Sequence, residues 1–318
     1  MMKVDWLIVG AGFTGAVLAE RIASQLNQKV LLVDKRNHIG GNAHDYYDEH
    51  GVLVHQYGPH IFHTHMKTVW DYLSQFTQWH PYAHHVLAVI DGQQVPLPFN
   101  FNTLYQLFPA AYAKSLEQQL LDTFGFGEKT PILKLREQSS GDLKFLADYI
   151  YENVFHRYTK KQWNLTPEEL GKGVTGRVPI YLSRDNRYFQ DPYQGLPQHG
   201  YTALFQRLLA HPNIRLLLNT DYHDIAREIE CQGLVYTGCI DTFFSYRHGA
   251  LPYRSLDFKF FHQQGNKQSV ATVNYPNDFD YTRITEFKHM TGQRHHGTTW
   301  VEEYPQAYQR GKNDPYYP

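Results

Sequence analysis

Apolar residues recur along this chain in three patterns, and each predicts a different kind of element. Continuous apolar runs at 6–9 and 30–33 predict strands buried on both faces, and the first leads into Gly10, Gly12 and Gly15 at G-x-G-x-x-G spacing. Between them Ala16, Val17, Ala19, Ile22, Ala23 and Leu26 share one helical face, which predicts a helix over about 14–26. The second strand stops at Asp34, completing a βαβ unit. Helical spacing dominates from about 100 to 158: Leu104, Leu107 and Phe108, a break at Pro109, then Leu116, Leu120, Leu121 and Phe124. After Gly125, Gly127 and Pro131 it resumes with Leu143, Leu146, Ala147, Ile150, Tyr151 and Val154. Thr166-Pro-Glu-Glu predicts one more helix start, with Thr166 as cap, before Gly171, Gly173 and Gly176 loosen the chain ahead of Arg177. A glycine-rich stretch before an arginine suits a mobile loop that closes on an anion, and equally an ordinary solvated loop. Alternation in 86–95, 184–189 and 256–289 predicts antiparallel strands, with Tyr281, Arg283, Thr285 and Phe287 on one face. A helix at 200–209 and short strands at 214–218 and 234–237 read as the parallel sheet resuming.

The glycine spacing has a physical content. Gly10 permits the tight turn, Gly12 lets a backbone approach a pyrophosphate, and Gly15 lets the helix lie close on the strand, while Asp34 stands where a ribose hydroxyl would donate. Ile39, Gly40, Gly41, Asn42 and Ala43 then form a second backbone-rich loop that a nicotinamide domain does not need. In flavoproteins related to the amine oxidases a comparable Gly-Gly loop lies along the cofactor, so FAD is expected. The fold class expected is α/β: a discontinuous Rossmann-like FAD-binding domain over 1–85 and 190–245, a helical insert over 98–172, and an antiparallel β-sheet substrate domain over 86–97, 173–189 and 246–318.

Charge and composition narrow the partners. With 30 basic against 31 acidic residues, no overall field attracts nucleic acid or a membrane surface, so an anionic ligand must be met by local arginines. Cys231 and Cys239 are too few and isolated for a disulfide scaffold or zinc site, which favours a reducing cytoplasmic setting. No apolar stretch is long enough for a membrane span and the N-terminus enters a core strand directly. The stretch Tyr57-Gly58-Pro59-His60-Ile61-Phe62-His63-Thr64, with His65 after it, suggests a metal site. No carboxylate or thiol joins those histidines at ligand spacing, however, and neutral imidazoles donate equally well to a cofactor ring, so no metal is expected.

Longer runs then carry a specific likeness. KRNHIGGNAH (35–44), QYGPHIFHTH (56–65), LPFNFNTL (97–104), YTKKQW (158–163), GRVP (176–179) and DNRYFQDPYQGLPQHGYTALF (185–205) occur in that order. YTGCIDTFFSYRHGALPYRSL (236–256), YTRITEFKH (281–289) and DPYYP (314–318) follow, and together they resemble the UDP-galactopyranose mutase family over nearly the whole chain. The resemblance implies an isomerase that interconverts UDP-galactopyranose and UDP-galactofuranose without net redox change. It implies that a reduced flavin attacks the sugar's anomeric carbon through N5 and expels UDP, that the opened sugar recloses through its other hydroxyl, and that UDP is recaptured as the bond to N5 breaks.

The resemblance also distributes roles. Arg177 and Arg283 are expected on the diphosphate, with Tyr188 and Tyr316 donating to the same phosphates. Phe155, Tyr158 and Thr159 would line the uridine pocket, Trp163 and His84 the sugar, and Asn274 the nucleotide-sugar region. Residues expected at the flavin are Gly10, Gly12, Phe13, Gly15, Asp34, Lys35, Arg36, Gly41, Asn42, Ala43, His60, Ile61, Thr237 and Gly238, with His60 and His63 near its ring. An external reductant such as NAD(P)H and a homodimer formed through the helical insert complete the family expectation. Two other readings stay open: an amine-oxidase-like FAD oxidoreductase, and an inactive shortened flavoprotein. Family members continue past the Tyr-Tyr-Pro motif with a strand and further flavin contacts. Weak FAD retention is therefore expected of these 318 residues, and a purified chain that keeps stoichiometric FAD through gel filtration would refute it.

Overall fold

The computed structural model describes residues 1–138, 140–170 and 178–316. The chain divides into two compact units, one of residues 1–82, 191–252 and 291–294, the other of residues 83–190, 253–290 and 295–318.

The first unit is built on a four-stranded parallel sheet in the order Ile214–Leu217, Val30–Val33, Met2–Val9, Ile229–Tyr236. Its two central strands are the apolar runs of the sequence, and Leu7, Ile8, Leu31, Leu32 and Val33 are all buried. Helix Phe13–Leu26 turns Gly15, Ala16, Ala19, Ile22 and Ala23 inward. These small residues let the helix come close: a Cβ on Gly15 would collide with the carbonyl oxygen of Gly10. Leu7, Leu31 and Val33 face Tyr222 and Ile225 of the short helix Tyr222–Ile225. A second, antiparallel sheet runs Phe62–Thr64, Tyr193–Pro197, Trp79–Pro81. Asp45, from the strand Asp45–Tyr47, accepts the Thr202 N–H at 2.7 Å and also that of Tyr201, which caps helix Gly200–Leu208 across more than 150 residues of sequence.

The second unit joins the helical stretch and the remaining strands around one apolar core. Six strands run in the order Arg254–Gln264, Gly297–Ala307, Arg283–Glu286, Thr272–Asn274, Val86–Ile90, Gln93–Leu97. Val86, Ala88, Ile90, Val95 and Leu97 of this sheet share a cluster with Leu104, Leu116, Leu120, Leu135, Leu146, Ile150 and Val154 of the helices. Asn100 starts the first helix, Phe101–Leu107, by accepting the Asn102 and Thr103 N–H groups at 2.8 and 3.2 Å. Pro109 then separates it from Ala110–Phe124. Helix Gly141–Ile150 runs through a π-helical turn, Tyr151–His156, into Arg157–Trp163.

Several expected elements differ. The stretch 256–289 is not a run of antiparallel strands: Thr272–Asn274 pairs in parallel with the strand that begins at Val86, and Phe287–Thr291 is a short helix. Residues 184–189 form only one bridge, His85 to Arg187, because Arg187 and Asp185 turn the backbone with their own hydrogen bonds. The helix expected from Thr166 is, within the described residues, a hydrogen-bonded turn closed by the Thr166 N–H donating to Glu169 Oε2 at 2.7 Å.

Adjacent residues in Gly141–Ile150 test the shared core. Leu146→Ala, at a position 0% exposed, should lower the unfolding free energy by about 2–5 kcal/mol. Phe145→Ala, at a position 53% exposed, should cost about 1 kcal/mol or less in urea-melt measurements.

Candidate functional site

In the first unit two backbone loops converge. The Gly10 N–H donates to the Val33 carbonyl at 2.7 Å, and the Ala11 N–H donates to Asp34 Oδ2 at 2.7 Å, so the end of each strand fixes the turn. Gly10 has φ +104°, and a Cβ there would strike Thr237 Oγ1. The Gly40 N–H reaches back to the Ala11 carbonyl at 2.9 Å, which draws the second loop onto the first. At the crossing, a Cβ on Gly41 (φ +57°) would stand 2.9 Å from Gly12 Cα, so the close touch of the two chains rests on residue 41 being glycine. A Cβ on Gly12 would meet nothing closer than Gly41 Cα at 3.7 Å, so its smallness opens space over the loop rather than relieving a contact within the chain. Helix Phe13–Leu26 has neither a side-chain cap nor an acidic residue in its first turn. Its unpaired N–H groups and dipole are left to an anion, which fits the phosphates of a dinucleotide.

Polar partners stiffen the second loop. Arg36 donates from Nη1 to Asn42 Oδ1 at 2.9 Å and lies over the Tyr57 ring at 4.3 Å. His38 and His44 stack at 3.8 Å, and Nδ1 of each donates to the Ile39 carbonyl, at 3.1 and 3.0 Å. Burial, with His38 beside it, pushes the His44 imidazole down to about 4. His55 is fully buried; its Nδ1 accepts the His60 N–H at 3.0 Å, and burial pushes it down to about 3.

In the second unit the centre is Arg283. Its cross-strand partner is Glu303, 1% exposed, and Nε stands 2.7 Å from Glu303 Oε1. The pair is held by charge and not by a straight N–H···O line, since both atoms are buried without a well-directed hydrogen bond. Burial opposes the arginine's charge, but the Glu303 carboxylate more than restores it and holds Arg283 above its ordinary value. Tyr158 and Tyr188 lie within electrostatic reach of the guanidinium. Burial raises both hydroxyls, that of Tyr188 up to about 12, so both remain proton donors. Asn274 sits opposite Arg283 on the next strand, with its Oδ1 buried and, among the described residues, unbonded. The His84 ring lies 5.8 Å from that of Tyr188, whose N–H donates to the His84 carbonyl at 2.7 Å. Arg254 donates from Nε to the Gln162 carbonyl at 3.1 Å and accepts the Tyr316 N–H at 3.0 Å, which ties Tyr316 to the end of the helix bearing Tyr158, Thr159 and Trp163. Phe155 lies on the π-helical turn just before that helix.

The expected residues thus fall into two groups. Gly10, Gly12, Gly15, Asp34, Gly41, Asn42, Ala43 and Thr237 lie about the loop crossing, whereas Gly238, next to Thr237, faces the Tyr236 ring. Phe13 instead packs on Tyr201 and Phe205, at 5.9 and 4.6 Å between ring centroids. Lys35 is exposed. His60 and Ile61 are half-buried, but His63 is exposed and donates to Asp191 Oδ2 at 2.7 Å, its Nδ1 already engaged. Arg177 lies outside the described residues, as do the final two residues of the DPYYP motif. Among the described residues no group of three or more His, Cys, Asp or Glu is placed to hold a metal, and no helix is long and apolar enough to cross a membrane. Glu303 was not foreseen, although its signal was present: it shares a strand face with buried Val301, and an acid on that face requires a cation partner.

A family model described as UDP-galactopyranose mutase matches residues 153–318, and one described as an NAD(P)-binding Rossmann-like domain matches residues 8–76. A probable UDP-galactopyranose mutase of Klebsiella pneumoniae is 39% identical, covering 100% of this chain and 82% of that protein. A dTDP-fucopyranose mutase of Escherichia coli is 36% identical over 98% of this chain and 84% of its own length. The crystal structure of a reduced UDP-galactopyranose mutase shares the fold, with TM-score 0.66 and 16% identity, covering 99% of this chain and 76% of that one.

The depressed histidines predict a pH dependence. In the folded chain His44 and His55 bind protons only near pH 4 and 3, whereas the unfolded chain binds them near pH 6.5. Stability should therefore fall as pH drops below about 6.5 and stop falling on their account near pH 3. Imidazole NMR should find both rings neutral at pH 5, and urea melts at pH 7 and pH 4.5 should show the loss.

Proposed function

We propose a function for this chain from the premise that it belongs to the UDP-galactopyranose mutase family: it interconverts UDP-galactopyranose and UDP-galactofuranose, with the nucleotide diphosphate on Arg283 and reduced FAD held by the first unit. The observation that carries the diphosphate reading is the guanidinium itself. It is fixed through Nε by Glu303, flanked by the protonated hydroxyls of Tyr158 and Tyr188, and its terminal nitrogens make no hydrogen bond among the described residues. A planar fork held from behind matches two phosphate oxygens, and charge that grows on a departing diphosphate is stabilised by donors already in position.

The other residues divide the remaining work. Tyr158, Thr159 and Phe155 would take the uridine, Trp163 and His84 the hexose, Asn274 its nucleotide end, and Tyr316 a phosphate oxygen. Arg177 would supply the second guanidinium. The loop crossing fits FAD: Gly12 and the uncapped helix N-terminus would receive the pyrophosphate, Asp34 a ribose hydroxyl, and residues 41–43 the chain beyond. Asp34 already accepts two backbone N–H groups, and a carboxylate retains lone pairs for a third donor. His60 would stand near the flavin ring; a ring contact for His63 would require it to leave Asp191. Reduced FAD, when bound, supplies the nucleophile that displaces the nucleotide from the anomeric carbon. The isomerisation yields no electrons, so an external reductant such as NAD(P)H would maintain that state. The dTDP-fucopyranose mutase among the relatives supports a second substrate reading, in which the same ring contraction acts on a dTDP-hexose.

Arg283→Ala should lower kcat/KM for UDP-galactofuranose under dithionite by about 10²–10³-fold with an unchanged circular dichroism spectrum, and Arg283→Lys should not restore it. Turnover retained by the alanine variant would remove Arg283 from the reaction. A higher kcat/KM for dTDP-fucose than for UDP-galactose would overturn the substrate assignment, and amine-dependent peroxide formation in air would favour the oxidoreductase reading instead.

A further inference from the structure

We propose that Glu303 is a positioning residue of the diphosphate site that takes up one proton from solvent when a nucleotide diphosphate engages Arg283. This rests on the reading that Arg283 receives the diphosphate. Three features of the pair carry it. The register is locked: Thr282, next to Arg283, donates both its N–H and its Oγ1 to the Glu303 carbonyl, at 2.9 and 3.3 Å, so the acid stays opposite the arginine. The carboxyl group is desolvated, and Arg283 is the one cation that acts on it among the described residues. The contact is short but poorly directed, so Oε1 holds the guanidinium by charge and loses little geometry if that charge is shared.

A diphosphate brings two negative charges to the same guanidinium. The arginine's field at Glu303 is then largely offset, while the carboxyl stays buried and now faces further negative charge; both effects favour the neutral acid. Among the described residues the other groups around it do not compensate. Tyr158, on the neighbouring helix, and Tyr188 are held neutral by burial, and Phe258, its cross-strand partner on the far side, carries no charge. The balance is Glu303–COO⁻ plus H⁺ from buffer giving Glu303–COOH, with the arginine charged throughout and the proton returned when the ligand leaves. Burial already raises the Glu303 carboxyl before any ligand arrives, so the further rise needed is smaller than for an exposed acid. Affinity should consequently strengthen as pH falls from 8 towards 6.

Titration calorimetry with UDP-galactose tests this, in air and without reductant so that nothing turns over; its diphosphate has no monoester group titrating near neutrality. At pH 6.5 the enthalpy should differ between PIPES and imidazole buffers in proportion to an uptake of several tenths of a proton per site, and the uptake should be smaller at pH 7.5. Glu303→Gln keeps an oxygen facing Nε and should bind within about fivefold of the parent with no proton uptake. Glu303→Ala removes that support and should bind more than about tenfold more weakly, with folding checked by its melt. Buffer-independent enthalpy in the parent, or undiminished uptake in Glu303→Gln, overturns the proposal. Parent-like binding by Arg283→Ala overturns the diphosphate reading beneath it.

Discussion

A buried carboxylate and a half-buried guanidinium on neighbouring strands set the terms for the second unit. Removing the carboxylate from water costs several kcal/mol even after the surroundings relax, and one imperfectly aligned contact does not repay that. The fold meets the remainder elsewhere: the strand Gly297–Ala307 is paired along its whole length with Arg254–Gln264, and a single apolar cluster clamps sheet and helices together. A unit selected only for stability would replace Arg283 and Glu303 with packed hydrocarbon. Keeping them makes sense where a charge must be displayed at a fixed angle.

The same logic explains how the helix bearing Tyr158 is held. Its amphipathic predecessor, Gly141–Ile150, is anchored by Leu143, Leu146, Ala147 and Ile150, and the π-helical turn rotates the following residues before Tyr158. Lys161 Nζ then reaches the Tyr275 and Tyr281 carbonyls, at 2.7 and 3.2 Å, on the loop that leads into Arg283. Aromatic and cationic donors thus come from segments far apart in sequence that are each fastened at the back, Arg283 by the Glu303 carboxylate and the segments of Tyr158 and Tyr188 by main-chain oxygens. Rigid placement of this kind lets a site act on charge without reorganising first.

What the sequence disclosed follows the range of each interaction. The dinucleotide loop was legible because its strand, glycines, helix and Asp34 are contiguous and each has a local reason. The helices between about 100 and 158 were legible from their period and from the break at Pro109. The parallel pairing of Thr272–Asn274 with the strand starting at Val86 was not, since alternation reports which face is buried but not the neighbour's direction. His63 shared a motif with His60, yet His63 stands on the strand Phe62–Thr64, which His60 precedes, and pairs there with a distant Asp191. Arg283 stands on a strand, Arg283–Glu286, that includes neither Tyr281 nor Phe287, and its counter-ion lies twenty residues on, where the face shared with buried Val301 is what sets Glu303 apart from Glu302.

The discontinuity of the first unit has a temporal side. Its sheet takes two strands from the first 33 residues and two from beyond residue 213, and Asp45 waits on helix Gly200–Leu208. On the ribosome roughly 5–20 seconds separate residue 83 from residue 190 at ordinary elongation rates. During that interval the nascent βαβ segment has an unpaired edge on each side, so the glycine crossing at its tip is an early, exposed feature that later synthesis closes over.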